Sequence, residues 1–311
     1  MSQSFLSRLP LSRFEIDRDH LGRESDGLWD RLWADPGTRI LPVFQGSALL
    51  AAPDRLALLP VDALPPGDTL TRVYLGRTTT ATDAEPAGTA VVAVELEDAR
   101  HLAEAEWGNL RQVGARLSDR DAGLLTEALG ILNWHDSHRF SPRTGEPTVA
   151  EKGGWVRRDT VSGLEIFPRT DPAIIVGVTD ADDRILLGSN ALWESNRYSL
   201  LAGFVEPGES LEAAVQREVF EESGVIVGDP VYLGSQPWPF PASLMLGFTA
   251  TVAADFAGAA QPDGTEILDL RWFSRDELAA SLDEIVLPGP TSIARAIIEE
   301  WFGSSIRDGQ R

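Results

Sequence analysis

Apolar positions in the first third of the chain come in short runs separated by turn residues. RILPVFQGSALLAAP (39–53) and RLALLPV (55–61) read as strands joined by a hairpin-type turn, and AVVAVEL (90–96) reads as another. The period then changes. SDRDAGLLTEALGILNWHDSHRF opens on Ser118 as an N-cap, and Leu124, Leu125, Ala128, Leu129 and Leu132 recur at helical spacing. SPRTGEPTVAEKGGWVRRD, residues 141–159, carries the Gly and Pro of a domain boundary. Beyond it, DPAIIVGVTD and RILLGS predict strands around an Asp-rich turn. A helix follows, then strands at SLMLGFTATVAA and LDLRWF, and a last helix from Ser292 to Phe302. Strands and helices alternating around one sheet predict an α/β/α sandwich with a mixed sheet, preceded by an α+β domain.

The helix in the middle of that second half carries the chemistry. Pro207-Gly208 is a turn signal, Ser210 is placed as N-cap, Glu212 suits the positive helix end, and Gly224 stops it. Leu211, Ala214, Val215 and Val219 face a core, while Glu218, Glu221 and Glu222, at i, i+3 and i+4, share another face. At an effective dielectric near 20, two such charges 4 Å apart repel by about 4 kcal/mol. A plain solvated face would have the same glutamates. The turn before them, the spacing of Arg217 and the closing Gly224 argue instead for a site holding divalent cations, and all-oxygen ligation suits Mg²⁺ or Mn²⁺.

Residues Gly203 to Val225, GFVEPGESLEAAVQREVFEESGV, match the Nudix signature G-x5-E-x7-R-E-U-x-E-E-x-G-U, with Gly203, Glu209, Arg217, Glu218, Glu221, Glu222 and Gly224 on its spacing. That resemblance implies a hydrolase of a nucleoside diphosphate linked to another group. Composition fits. At 311 residues the chain has room for two cores. It contains no cysteine, which excludes disulfides and thiolate catalysis. A formal charge of −21 argues against nonspecific nucleic-acid binding. MSQSFLSRLPLSRFEIDRDH has no signal-peptide core, and no apolar run reaches membrane-spanning length, so a cytoplasmic enzyme with no membrane partner is expected.

Past the signature, SQPWPFPAS (Ser235 to Ser243) has three prolines in nine residues. It predicts a stiff loop presenting Gln236, Trp238 and Phe240, because proline excludes a helix or a central strand. The array resembles the SQPWPFPxS motif of the NADH pyrophosphatases, the NudC-type branch of the Nudix superfamily. WHDSHRFSPRTGEPT, GGWVRR and FPRTDPAIIV resemble the central segment of that family, and TEILDLRWF and SIARAII its C-terminal segment. The likeness runs from about residue 105 to the end and is weak before that.

The resemblance implies a domain plan of 1–130 (an N-terminal Nudix-like α+β domain), 131–165 (a degenerate zinc-ribbon-like segment) and 166–311 (the catalytic Nudix domain). It implies that Glu218, Glu221, Glu222 and Glu266 hold the metals, and that Glu209 and Arg217 pair to shape the loop. Phe204 and Phe167 would sandwich the nicotinamide ring, the latter supplied by the second subunit of a homodimer, with Gln236, Trp238, Ser243 and the backbone at Ala294 also near the dinucleotide. The implied reaction converts NADH, and more slowly NAD⁺, to AMP and nicotinamide mononucleotide, with Glu221 or Glu222 taking the water's proton. Removal of a nicotinamide-dinucleotide cap from RNA is the nearest alternative. A Nudix hydrolase for other nucleoside diphosphates, or a noncatalytic nucleotide sensor, fits less well.

One departure stands out. Where the family carries two C-x2-C pairs, this chain has Ser141 and Thr144, then Asp159 and Ser162. These are poor tetrahedral zinc ligands, so no structural zinc is expected. Such an ion is worth about 10–16 kcal/mol in a small peptide, and side-chain hydrogen bonds or a dimer interface would have to substitute. His135 and His138, beside Asp136, are expected to be structural.

Overall fold

The computed structural model describes residues 5–64, 69–102, 105–194 and 196–307. Its contacts divide the chain into two compact units.

The first unit comprises Arg13–Thr170 and Trp238–Ala242. Its strands are β1 (Ile16–Asp17), β2 (Arg39–Phe44), β3 (Ser47–Ala52), β4 (Arg55–Leu56), β5 (Leu59–Pro60), β6 (Thr69–Thr78), β7 (Ala90–Leu96) and β8 (Glu106–Asn109), with helices α1 (Leu28–Ala34), α2 (Leu110–Val113) and α3 (Asp119–Ser137). They form one sheet in the order β1-β6-β7-β2-β3-β4, β5 adding to β2 and β8 to β3. Gln45 and Gly46, with φ of 49° and 72°, turn the β2–β3 hairpin in the left-handed conformation that a two-residue turn demands. Leu28 and Leu32 of α1 pack on Ile40, Tyr74, Val92 and Val94. Ser118 caps α3, its side chain accepting from the Asp121 amide at 3.2 Å.

A small sheet of β9 (Thr148–Glu151), β10 (Val156–Asp159) and β11 (Glu165–Ile166) completes this unit. At its end Asp159 is buried and takes the Thr144 hydroxyl on one oxygen and the amides of Val161 and Ser162, each at 2.9 Å, on the other. The Thr144 hydroxyl, with these amides, holds the Asp159 carboxyl well below the usual carboxylate range. Ser141 is buried nearby, its amide donating to the Glu146 carbonyl at 2.8 Å and its carbonyl accepting from Gly145 at 2.8 Å. Three of the four positions that carry cysteines in the resembled family, Thr144, Asp159 and Ser162, are thus tied by a carboxylate acting as a hydrogen-bond hub. His135 is equally committed: it is buried, with Nε2 2.7 Å from the Gly154 carbonyl and Nδ1 2.7 Å from Arg157 Nη1. Burial pushes its pKa down to about 4, so the ring is neutral, donating from Nε2 and accepting at Nδ1.

The second unit takes the chain up to Ser12, then Asp171–Pro237 and Ser243–Arg311. Strands β12 (Asp171–Thr179), β13 (Ile185–Asn190), β14 (Leu201–Phe204), β15 (Val231–Trp238), β16 (Ser243–Thr251) and β17 (Ile267–Phe273) accompany helices α4 (Leu211–Ser223), α5 (Arg275–Ser281) and α6 (Ile293–Phe302). The sheet order is β15-β16-β12-β13-β17, with β14 paired to β12. It is mixed, since β12–β16 is parallel while β12–β14 and β13–β17 are antiparallel. Alternate residues of β12 serve opposite faces. Ile174, Val176 and Val178 meet Ala214, Val215 and Val219 of α4. Ile175 joins Leu278 of α5 and Ile293 and Ile297 of α6 in a second core, which also takes Leu9. At Gly177 a Cβ would come within 2.9 Å of Ile297, so α6 rests directly on the strand backbone. This is the expected sandwich.

Two elements differ from the sequence reading. The stretch Ser235–Ser243 is not loop throughout: its first residues finish β15, Ser243 opens β16, and only the four residues between turn. Because β15 is an edge strand, Pro237 is tolerated there. The Phe240–Pro241 peptide is cis. Helix α5 was not read from the sequence, although Ser274 and Glu277 form a full capping box at its start.

Candidate active site

The signature folds as strand, turn and helix. β14 ends at Phe204, the turn runs to Ser210, whose Oγ accepts from the Ala213 amide at 3.2 Å, and α4 follows. Gly224, at φ 67°, ends it with its amide on the Phe220 carbonyl at 2.7 Å. Gly203 is required by space rather than by backbone angle. A Cβ there would stand 1.9 Å from the Glu218 carboxyl carbon, so the carboxylate lies flat against the β14 backbone.

Arg217 organises the charged face. Its Nε and Nη2 reach the two oxygens of Glu209 at 3.1 and 2.6 Å, a bidentate pair. Nη1 donates to Glu218 Oε1 at 2.8 Å and to Glu221 Oε2 at 3.0 Å, and Nη2 also meets the Phe204 carbonyl at 3.0 Å. Glu209 in turn accepts from the Glu206 amide at 2.7 Å. One guanidinium therefore ties the turn, the end of β14 and two helix carboxylates together. It holds Glu209 below the usual carboxylate range, and Glu209 holds Arg217 well above its ordinary value.

Glu222 lies beside this network without joining it. Its side chain is buried, and Oε2 has no hydrogen-bond partner among the described residues. Burial, reinforced by the charges of Glu266 and Glu218, pushes its carboxyl up to about 8, against a backbone hydrogen bond from Ala202. Burial also raises Glu218, with Arg217 opposing and Glu221 and Glu266 adding to it. Glu266 precedes β17. Asn190 Nδ2 donates to its Oε1 at 3.4 Å, and Asp263 accepts from its amide at 3.1 Å. Glu218, Glu222 and Glu266 are thus within electrostatic reach of one another, whereas Glu221 is more than half exposed and turned to Arg217. Among the described residues no three acidic or histidine side chains already surround a common point that would hold a metal. The donor set nonetheless fits a hard divalent cation. All its atoms are carboxylate oxygens, they repel one another, and a buried one lacks a partner.

The expected dinucleotide contacts divide. Phe204 is 58% exposed beside the carboxylates, and Ser243 is half-buried at the start of β16, paired in register with Asp171. Ala294 is buried in the first turn of α6, so only backbone is on offer there. Gln236 corrects the sequence reading. It is fully buried, with Oε1 taking the Leu11 amide at 3.4 Å and Nε2 donating to the Thr291 carbonyl at 3.0 Å, so it is a strut and presents nothing to a ligand. Phe167, 61% exposed, and Trp238 belong to the other unit. There Trp238 packs edge-on against Phe240 at 4.9 Å, Arg111 lies 4.1 Å over the Phe240 ring, and Asn133 donates to the carbonyls of Pro239 and Pro241 at 2.9 and 3.0 Å. Two site residues escaped the sequence reading. The Asp263-Gly264 turn dipeptide signals the first, and nothing local signals Asn190.

Comparison with known proteins agrees with this architecture. Residues 168–293 match the NUDIX domain, and residues 37–134 match the NADH pyrophosphatase-like rudimentary NUDIX domain. The NAD-capped RNA hydrolase NudC of Mycobacterium bovis (strain BCG / Pasteur 1173P2) is 41% identical over 280 residues, 82% of this chain and 86% of that protein. The chain belongs to the NudC-type NADH pyrophosphatases of the Nudix family. The NudC of Stutzerimonas stutzeri (strain A1501) is 40% identical over 71% of this chain and 75% of its own length. The NAD-capped RNA hydrolase NUDT12 of Macaca fascicularis is 36% identical over 60% of this chain and 43% of that protein. Nudix hydrolases generally need a divalent metal such as Mg²⁺ or Mn²⁺. Among the described residues no helix is long and apolar enough to cross a membrane.

Proposed function

We propose that this chain hydrolyses the pyrophosphate bond of NADH and NAD⁺, releasing AMP and reduced or oxidised nicotinamide mononucleotide. The observation that carries the reading is Glu222: a buried carboxyl on the signature helix with an unpartnered oxygen, facing the charges of Glu218 on the same helix and of Glu266 just before β17. Glu218, Glu221, Glu222 and Glu266 would hold Mg²⁺ or Mn²⁺, which supplies positive charge against the diphosphate and acidifies the attacking water. Arg217 keeps Glu209, Glu218 and Glu221 in register with the Phe204 carbonyl, so the helix face and the turn move as one piece. Glu222 Oε2, once a bound cation favours its ionised form, would accept the water's proton, and Glu221, held by Arg217 at Oε2, is the second candidate. The exposed ring of Phe204 offers a stacking face for a flat nicotinamide, worth about 0.5–1.5 kcal/mol beyond area burial. Phe167 of the partner subunit would close the opposite face in a cytoplasmic homodimer.

Removal of the nicotinamide-dinucleotide cap from RNA, cleaving the same bond, is the second reading, favoured by the activity that names the mycobacterial relative. A product assay with NADH, NAD⁺, ADP-ribose and NAD-capped RNA side by side in Mg²⁺ and Mn²⁺ tests both. AMP and nicotinamide mononucleotide are expected from the dinucleotides. Turnover of ADP-ribose alone would sink the reading.

A further inference from the structure

Within the N-terminal unit, a pocket of about 470 Å³ is lined by Trp29, Thr71, Arg72, Arg139, Thr148 and Arg157, among others. Three guanidiniums meet there, and no carboxylate is among the lining residues described. Arg157 spends its donors on neutral groups only: Thr148 Oγ1 at 2.6 Å, the Thr148 carbonyl at 2.9 Å and His135 Nδ1 at 2.7 Å. Since His135 is neutral, that contact brings no charge to offset the cation. Arg72 lies 4.3 Å over the Trp29 ring and 5.1 Å over Trp33, and Asp30 acts on it only through space. Arg139 has two acidic neighbours, the exposed Asp136 and the partly buried Glu95, whose carboxylate bonds the Thr71 side chain. Burial makes both Arg72 and Arg157 easier to deprotonate, against Asp30 at Arg72, and Arg139 adds to this at Arg157, as expected of cations gathered close together.

In a chain of formal charge −21, leaving the half-buried Arg157 and the exposed Arg72 without a paired carboxylate is costly unless an anion completes them. Planar forks with free N–H groups match phosphate oxygens, and the volume suits a mononucleotide-sized group. We propose that this pocket is a second binding site, separate from the signature helix, for the phosphate of a nucleotide. The nucleotide is either free or an internal residue of a single-stranded RNA. The proposal does not depend on the catalytic reading, because every residue in it lies outside that machinery.

The test uses the full chain in EDTA, with AMP and a 5′-hydroxyl octaribonucleotide as probes, followed by calorimetry across a salt series. Arg72→Gln/Arg139→Gln should weaken binding at least tenfold while leaving NADH turnover unchanged. For the oligonucleotide it should also flatten the log K against log salt slope by about 1.4, the value for two phosphate contacts on a single strand. Loss for both probes assigns the site to free mononucleotides, and loss for the oligonucleotide alone assigns it to RNA. A gentler variant guards against misfolding: Val149→Glu places a carboxylate at the rim, on a residue 48% exposed, and should weaken binding as well. Unchanged affinity in Val149→Glu, or no binding of either probe by the wild type at millimolar concentration, overturns the proposal.

Discussion

Replacing Glu222 by Gln should abolish turnover and, in EDTA, make the protein more stable. The carboxyl is pushed from an ordinary 4.5 to about 8 by burial and by Glu266 and Glu218. A folded-state value above the unfolded one means the group's stabilising contribution is complete below about pH 4.5 and is lost as pH rises through about 8. At pH 7 the unfolded chain has gained about 2.5 units of ionisation that the fold resists, which at 1.36 kcal/mol per unit is about 3 kcal/mol. The buried amide of Gln gives back roughly 1 kcal/mol through an incompletely satisfied donor. The net gain is about 2 kcal/mol, or roughly 4–8 °C in melting temperature for a unit of this size. Thermal unfolding in EDTA from pH 5 to 9 measures it: the advantage of Gln should be near zero at the acid end and full above pH 8. Adding Mg²⁺ should then raise the melting temperature of the wild type more than that of the variant. If the variant is no more stable at any pH, or hydrolyses NADH at a near-normal rate, the account of Glu222 is wrong.

Gly203→Ala should lower kcat about a hundredfold or more with a normal circular dichroism spectrum, because its Cβ would stand 1.9 Å from the Glu218 carboxyl carbon and drive that carboxylate away. His135, with its pKa down at about 4, makes the N-terminal unit lose stability as pH falls from about 6.5 through 4, by up to about 3 kcal/mol. His135→Gln should flatten that acid limb in urea titrations. Asp159→Asn removes the charged acceptor of the Thr144 hydroxyl and two amides, and should lower the melting temperature and speed proteolysis around residues 141–166. Metal analysis of the purified wild type should find no tightly held zinc, and one zinc per chain would refute the view that Asp159 substitutes for the ribbon.

Much of the site was legible because its determinants are local. Ser210, Gly224 and the apolar stripe of α4 fix that helix within a few turns, and the carboxylate spacing follows from helical geometry alone. The strand at Ala90–Leu96 was legible for the same reason, whereas the run 39–53 proves to be two strands that turn at Gln45-Gly46. What escaped depends on distant partners. Gln236 is a strut only because Leu11 and Thr291 meet it, and neither is near it in sequence. Ser235–Trp238 is strand because β16 lies beside it, and a proline-rich string does not advertise an edge position. Asn190 finds Glu266 through the β13–β17 pairing. The three arginines of the N-terminal pocket come from β6, from just past α3 and from β10, and no spacing rule joins them.

The chain's nested order has a consequence for how the molecule is made. The stretch carrying Leu9 is made before Arg13–Thr170, yet its core partners on α6 are made after it. In between, Arg13–Thr170 can fold around its own sheet, lacking only the five residues at Trp238–Ala242. Synthesis therefore leaves the stretch with Leu9 waiting until α6 has been made, and no single cut within Arg13–Thr170 frees the catalytic unit intact. A duplication or fusion that removes Leu9 and Leu11 would strip the first from its core and leave the Gln236 carboxamide buried without the Leu11 amide. Selection is thus expected to treat Leu9 and Leu11 as part of the hydrolase, although Arg13–Thr170 separates them from the rest of it.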